Sequence, residues 1–447
     1  MKGPPAGMSE KASLRRDLGL VEVTLSGIGI ILGAGIYALI GRGAALAGNA
    51  LWLSFGISAV IAVLTGLSYA ELSSLYPRAG AEYEYVKRSF GKRAAFVIGW
   101  LIILSGVIGA SAVALGFAGY ASALTRWSPA LLSIGIIAGL SLLLMWGVRI
   151  SALVAIVFTF IEVAGLVLVI AIGIPFLGRV NYLAMPLGIP GVLSAAALVF
   201  FAYIGFEDVV KLAEETREPT KNIPRGLLLA MAVSIALYIL VALSAVSVAG
   251  WEALAGSDVP FAVVAGDAFG GGASLLLSGI ALFATANTVL LMLLAASRIS
   301  YGMADAGHFP ALFGYVHRKR GTPVWATVAV GAGACLFSLA GDIGFTAGLT
   351  NFTLFLTFAV INAAVILLRF RHPRMARPFK VPGAVAGVPL LPVLGVITSV
   401  ALLSQLDLSV MGLGALLVLI GSGYALLKIR EDRTGKGPAA EEARINS

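Results

Sequence analysis

Two long apolar segments of this 447-residue chain are each interrupted at their centre. They are Gly27-Ile28-Gly29-Ile30-Ile31-Leu32-Gly33-Ala34-Gly35-Ile36-Tyr37 and Phe200-Phe201-Ala202-Tyr203-Ile204-Gly205-Phe206-Glu207-Asp208. A glycine inside a helix costs about 1 kcal/mol relative to alanine. In hydrocarbon, a backbone group freed by such a break has no water to turn to, so an interrupted span is expected to line a cavity. Breaks at matching places in two halves of a membrane chain are the mark of a carrier's binding site. Unwinding is expected near 33–35 and 202–205.

Composition fixes the surroundings of those breaks. With 59% hydrophobic and 12% charged residues, the chain reads as an all-α polytopic membrane protein, and a soluble enzyme is excluded. Apolar runs of roughly 20 residues give twelve transmembrane helices, at about 20–43, 51–75, 95–124, 130–147, 151–177, 191–212, 225–249, 273–303, 323–340, 343–368, 387–404 and 409–428. Basic residues test that count, because cytoplasmic loops retain Lys and Arg. All but three of the 31 (Arg42, Arg126 and Arg179) fall on alternate connections and the two ends. Both termini are therefore expected in the cytoplasm, as tails 1–19 and 429–447. The net charge of +9 is spread over short loops, which makes it a topology signal and excludes nucleic acid as a partner. Residues 1–17 lack a cleavable signal pattern. The single cysteine, Cys335, lies inside a span, so neither an internal disulfide nor a disulfide-linked subunit is expected.

No linker divides the chain, and 20–428 reads as one transmembrane domain. The broken spans are the first and the sixth. If each opens a five-helix unit, repeat one is about 20–177 and repeat two about 191–368, with helices 11 and 12 at about 387–428. An odd helix count per unit inverts one repeat relative to the other. The polar pieces 76–93, 213–224, 304–322 and 369–386 fall on the cytoplasmic side, and the acidic segment 250–272 is expected to cap the outside.

Four motifs together resemble the amino acid–polyamine–organocation (APC) family: Gly33-Ala34-Gly35-Ile36-Tyr37; Ser68-Tyr69-Ala70-Glu71-Leu72 with Gly80-Ala81-Glu82-Tyr83; the run from Phe200 to Arg225; and Ser297-Arg298 with Asp305-Ala306-Gly307-His308-Phe309-Pro310. The resemblance covers about residues 14–430 and is most specific in the sixth span. It implies a LeuT-like 5+5 inverted repeat with helices 1 and 6 broken, alternating access, and an amino acid as cargo.

A zwitterion at the midplane needs donors for its carboxylate and acceptors for its ammonium, and a broken helix offers free N–H groups at one end and free C=O groups at the other. By the resemblance, the amides of Ala34, Gly35 and Ile36 take the carboxylate, and the carbonyls of Ile31, Phe201 and Ile204 take the ammonium, with Ala202 beside them. Phe201 is matched to a gating aromatic, with core packing as its other reading. The string Gly27-x-Gly29-x-x-x-Gly33-x-Gly35 also fits a small-residue packing face, which leaves the second break at Gly205 unexplained. Thr285, Asn287 and Thr288 on span eight are candidates for cargo or cation contact.

Ionisable groups inside apolar spans cost ~2.5–3.5 kcal/mol even on the lenient insertion scale. Glu162, in Phe158-Thr159-Phe160-Ile161-Glu162-Val163-Ala164-Gly165, stands where some relatives carry a lysine. That departure puts the lysine mechanism in doubt and leaves three readings: a proton-coupling group, a cation ligand, or a structural partner of a neighbour. Glu207, Asp208 and Lys211, facing Glu22, Arg15 and Arg16, read either as an inner gate or as solvated interfacial charges. Glu71, Arg298 and Asp305 read as anchors of the loops. No His/Cys cluster has metal spacing, and no nucleophile motif is present.

The expectation is a secondary active transporter of a neutral amino acid in the plasma membrane, with a proton in preference to sodium as coupling ion and no cofactor. A cationic amino acid or polyamine carrier, or an exchanger, is the alternative. A channel or sensor is the rival from another class, lacking here a polar stripe or an attached soluble domain.

Overall fold

The computed structural model describes residues 16–78, 80–317 and 320–429. Their backbone is satisfied almost wholly by helices: α1 (Leu20–Ile31), α2 (Gly35–Ala47), α3 (Leu51–Leu75), α4 (Ala81–Phe90), α5 (Lys92–Thr125), α6 (Pro129–Trp146), α7 (Val148–Gly173), α8 (Gly188–Val199), α9 (Pro219–Ala255), α10 (Pro260–Phe269), α11 (Gly271–Asp305), α12 (Val324–Ser338), α13 (Ile343–Arg371), α14 (Leu390–Leu403) and α15 (Leu408–Lys428). Strand pairing among the described residues is limited to a hairpin of two residues a side, with Ala384 opposite Pro389 and Val385 opposite Val388, and an isolated bridge between Leu18 and Thr216. Among the described residues, nine helical stretches are long and apolar enough to cross a membrane, and α1, α10, α12 and α14 are shorter apolar helices. The chain is an all-α polytopic membrane protein.

Local chemistry sets several helix boundaries. Pro129, Pro219 and Pro260 open α6, α9 and α10, where a missing N–H costs nothing. Asp342 caps α13 by accepting from the Phe345 amide at 2.6 Å, as an N-cap carboxylate does. The expected end of the seventh span at 249 coincides with a kink in α9 at Gly250. The acidic segment after it is partly helical, through the last turn of α9 and α10.

Helices differ in how much protein surrounds them. The most apolar stretch of α5 is 78% buried and that of α15 only 22%, which puts α5 at the centre of the bundle and α15 on its margin. Large apolar side chains such as Trp146, Phe160, Leu408 and Leu427 are exposed, as suits contact with lipid tails.

At the end of the bundle that carries the basic loops, a buried ion cluster ties the elements together. Glu71 of α3 is 1% exposed and takes Arg369 of α13 on both carboxylate oxygens. Its Oε1 lies 3.1 Å from Arg377 Nε, and its Oε2 accepts from the Val381 amide at 2.8 Å. One carboxylate thus holds two guanidinium groups and the chain that follows α13, the anchoring role expected of Glu71. Removing it strands two buried cations, and breaking such a pair costs roughly 3–5 kcal/mol. Glu71→Ala is expected to lower the thermal unfolding midpoint of the purified protein by several degrees. An unchanged midpoint would show the cluster to be dispensable.

Candidate functional site

The first break falls at 32–34. Leu32 still donates to the Ile28 carbonyl at 2.8 Å, whereas Gly33 folds back onto the Ile31 carbonyl at 2.8 Å and α2 restarts at Gly35. Neighbouring helices supply partners for the freed groups. Tyr238 of α9 donates its hydroxyl to the Ile31 carbonyl at 2.8 Å and accepts from the Gly33 amide at 3.3 Å. Thr288 of α11 accepts from the Ala34 amide at 2.8 Å. The amides of Gly35 and Ile36, in the first turn of α2, have no acceptor within their own helix.

The second break is longer. Beyond α8 the chain tightens into a 3-10 turn at Phe200–Tyr203, passes through Gly205 at φ 115°, and continues as a 3-10 helix over Phe206–Glu215. Asn351 of α13 donates to the carbonyls of Ala197 and Leu198 at 2.7 and 3.0 Å. Glu207 caps the break by accepting from the Gly205 amide at 3.0 Å. Tyr203 donates to the Phe55 carbonyl at 3.0 Å and sets its ring edge-on to that of Tyr238, 5.3 Å between centroids.

The two breaks lock into each other through glycine. A Cβ on Gly35 would stand 2.7 Å from Ala202 Cα, and one on Gly205 would stand 2.6 Å from the Ile30 carbonyl oxygen. Both obstacles are backbone, so neither can swing aside. The sequence suggested that Gly35 admits a ligand to the backbone; the structure shows that it first admits the other broken helix.

A cavity of about 250 Å³ lies against both breaks. Of the expected site residues, Gly35, Phe201, Ala202, Ile204 and Glu207 line it. Ile31, Ala34 and Ile36 are buried beside it, the first two with the named carbonyl and amide engaged. Thr285 is outside the lining: its hydroxyl donates to the Ala281 and Leu282 carbonyls of its own helix. Thr288 and Asn287 are in the wall. Ile102, Gly106, Leu291, Met292 and Leu354 make much of the rest apolar, with Ser105 and Thr357 among them.

Glu162 of α7 is fully buried. Asn287 donates to its Oε2 at 3.2 Å and to Thr159 Oγ1 at 3.0 Å, and Tyr37 donates to the Glu162 backbone carbonyl at 2.7 Å. Glu162 Oε1 and Asn287 Oδ1 are both buried without a hydrogen-bond partner among the described residues, and no ion pair reaches Glu162 there.

Of the charges considered for an inner gate, those of Asp208, Lys211 and Glu22 meet partners on their own segments. Lys211 pairs with Asp208, and Glu22 accepts from the Gly19 amide at 2.9 Å. Backbone joins the two ends instead: Leu18 donates to the Glu215 carbonyl at 3.0 Å and Arg217 to the Leu18 carbonyl at 2.8 Å. Arg217 Nε also reaches the Arg16 carbonyl at 3.3 Å. Arg15 lies outside the described residues.

Tyr238 and Asn351 were not singled out from sequence. The available signal was a polar side chain in an apolar span, which is shared by many Ser and Thr residues that only bond back to their own helix, as Thr350 and Thr357 do.

Comparison with known proteins bears on the same region. A family model for amino acid permeases matches residues 18–420, which include both breaks and the whole cavity wall. The chain is 33% identical to the branched-chain amino acid permease BcaP of Bacillus subtilis (strain 168), over 90% of each chain. It is 35% identical to the methylthioribose transporter of the same organism, over 87% of this chain and 88% of the relative. Cationic amino acid transporter 4 of Homo sapiens is 30% identical over 85% of this chain and 63% of its own length. A match of that extent shows that the chain belongs to the amino acid permease family, in the APC group, and is a membrane transport protein rather than an enzyme.

Proposed function

We propose that this permease is a secondary active transporter that carries a neutral, aliphatic amino acid by alternating access, coupled to protons. The observation that carries this reading is the cavity itself, with a helix start on one side and an apolar wall on the other. The cargo's carboxylate meets the amides of Gly35 and Ile36 at the positive end of α2. Thr288 accepts from the Ala34 amide and keeps its own hydroxyl proton, which it donates to the same carboxylate. The Ile31 carbonyl already accepts from both Tyr238 and Gly33, so the ammonium falls to the carbonyl of Ile204 and to that of Phe201, which accepts one bond, from the Ile204 amide at 3.3 Å. Phe201 closes over the bound molecule.

The wall of Ile102, Leu291, Met292 and Leu354 suits an aliphatic side chain, and the curated branched-chain permease among the relatives agrees with that choice. A cationic cargo is the second reading. It is favoured by the relatives named as cationic transporters and by the acidic groups at the basic end of the cavity.

The architecture we infer has twelve spans: α1 with α2, α3, α5, α6, α7, α8 with its 3-10 continuation, α9, α11, α12, α13, α14 and α15. Repeats at 20–177 and 191–368 are inverted in the LeuT-like manner, each opening on a broken helix, and helices 11 and 12 follow. By the rule that cytoplasmic loops retain Lys and Arg, we read that end, with both termini, as cytoplasmic, and we propose the plasma membrane as the protein's location.

Glu162 is the coupling group. Its surroundings hold no countercharge among the described residues, and an ionised carboxylate buried alone is far costlier than a neutral carboxyl. Asn287, next to Thr288 on α11, connects it to the cavity wall. In proteoliposomes, an inward proton gradient is expected to drive accumulation of leucine, isoleucine and valine but not arginine. Glu162→Gln is expected to abolish that accumulation while leucine exchange continues. Accumulation that follows sodium and ignores pH would reject proton coupling, and accumulation of arginine alone would reject the neutral cargo. Glu162→Gln with an unchanged pH response would make Glu162 a structural partner of Asn287.

Gly35→Val forces the two breaks apart, and a displacement of about 1 Å at a reacting centre can cost roughly 100-fold in rate. Uptake is expected to fall by about that factor while the protein still reaches the membrane. Normal uptake would place the carboxylate elsewhere.

A further inference from the structure

The central cavity does not end at the breaks. A second chamber of about 460 Å³ adjoins it at the basic end, and Glu82, Asp208 and Lys211 stand in the walls of both. One face of α11 runs through the two: Thr288, Met292, Ala295 and Ile299 line the first, and Ala295, Ile299 and Gly302 the second, at the three- and four-residue spacing of one helix side. Gly302 keeps the chamber wide, since no atom lies within 4 Å of where its Cβ would stand.

The chamber carries both signs of charge. Glu82, at the start of α4, is 3% exposed, and the hydrogen bond it accepts from Tyr69 is long at 3.4 Å. Burial pushes its carboxyl up from the usual range, with Lys211 opposing the shift and Asp208 adding to it. Lys211 is bonded to Asp208 and, as an ammonium, has further protons to give. Arg298 of α11 is exposed on the chamber wall and has no side-chain partner among the described residues. The sequence suggested that Arg298 anchors a loop; among the described residues its guanidinium holds none. A lone cation here meets Lys211 and Arg298, and a lone anion meets Glu82 and Asp208. A molecule bearing both charges satisfies the two sets together.

We propose that this vestibule is a second amino acid site, in which Arg298 takes the carboxylate of the cargo and Glu82 with Asp208 takes its ammonium. The proposal rests on the reading of the cargo as a zwitterionic amino acid. One molecule is then held between the helix breaks and another at the mouth of the path.

The test is equilibrium binding of radiolabelled leucine to the purified full-length protein in lipid nanodiscs, counted per chain. The wild type is expected to bind two leucines. Arg298→Ala should lose one, Arg298→Lys should keep both, and Gly35→Val should lose the other one. Because Arg298 is exposed and has no side-chain partner among the described residues, its removal breaks no hydrogen bond or ion pair there, and the leucine retained between the breaks reports an intact fold. A single leucine bound by both the wild type and Arg298→Ala overturns the vestibule site while leaving the transport reading in place. Two leucines retained by both Arg298→Ala and Glu82→Gln overturn the residue assignment. Failure to bind leucine or any other standard amino acid overturns the transport reading itself, and the vestibule with it.

Discussion

Everything at the centre of this protein depends on two backbones passing within van der Waals contact. Gly35 faces the Ala202 Cα and Gly205 faces the Ile30 carbonyl, each at a distance that a Cβ would violate. The contact is reciprocal: Gly35 at the start of α2 meets the 3-10 turn of the second break, and Gly205 meets the last turn of α1. In hydrocarbon such stretches survive only inside protein, and here each is part of the other's shelter. The cavity, the free amides of α2 and the position of Phe201 follow from that crossing.

Glycine makes the crossing possible, and polar side chains on three other helices make it tolerable. Tyr238, Thr288 and Asn351 answer the carbonyls and amides that the breaks release, and leaving such a group buried and unmet costs about 1–3 kcal/mol. Hydroxyl and amide partners of this kind can be exchanged for a ligand at little net cost. A helix closed by its own hydrogen bonds has no such exchange open to it. On the proposed reading, a zwitterion would take over some of these bonds. At the basic end, Leu18 and the chain at 215–217 are tied by backbone, so the two broken helices are also linked where the path would open.

The breaks were legible because glycine clusters in the middle of an apolar run have few other uses. The residue limits were less so: the first break lies at 32–34, close to the expected 33–35, but the second already changes helix type at Phe200, where Phe-Phe-Ala-Tyr carries no local signal. Glu162 was visible as a carboxyl in an apolar span, and it is fully buried. Its partner Asn287 was one of three polar candidates on span eight. Only the fold separates Asn287 and Thr288, which face inward, from Thr285, which bonds to its own helix. Tyr238 and Asn351 were illegible because their role depends on how α9 and α13 approach the breaks, which no window of sequence records. Arg298 was visible only as a loop anchor, and its place on the chamber wall depends on the fold in the same way.

The central claim is that the cargo is recognised by its backbone charges at the two breaks, and competition against labelled leucine tests it most directly. Unlabelled leucine, leucinol, which lacks the carboxylate, and 4-methylpentanoate, which lacks the ammonium, are compared on the purified protein. Each charged group lost removes hydrogen bonds worth about 1.5–3 kcal/mol, so both analogues are predicted to compete more than about tenfold less well than leucine. Leucinol or 4-methylpentanoate competing as well as leucine would contradict the account.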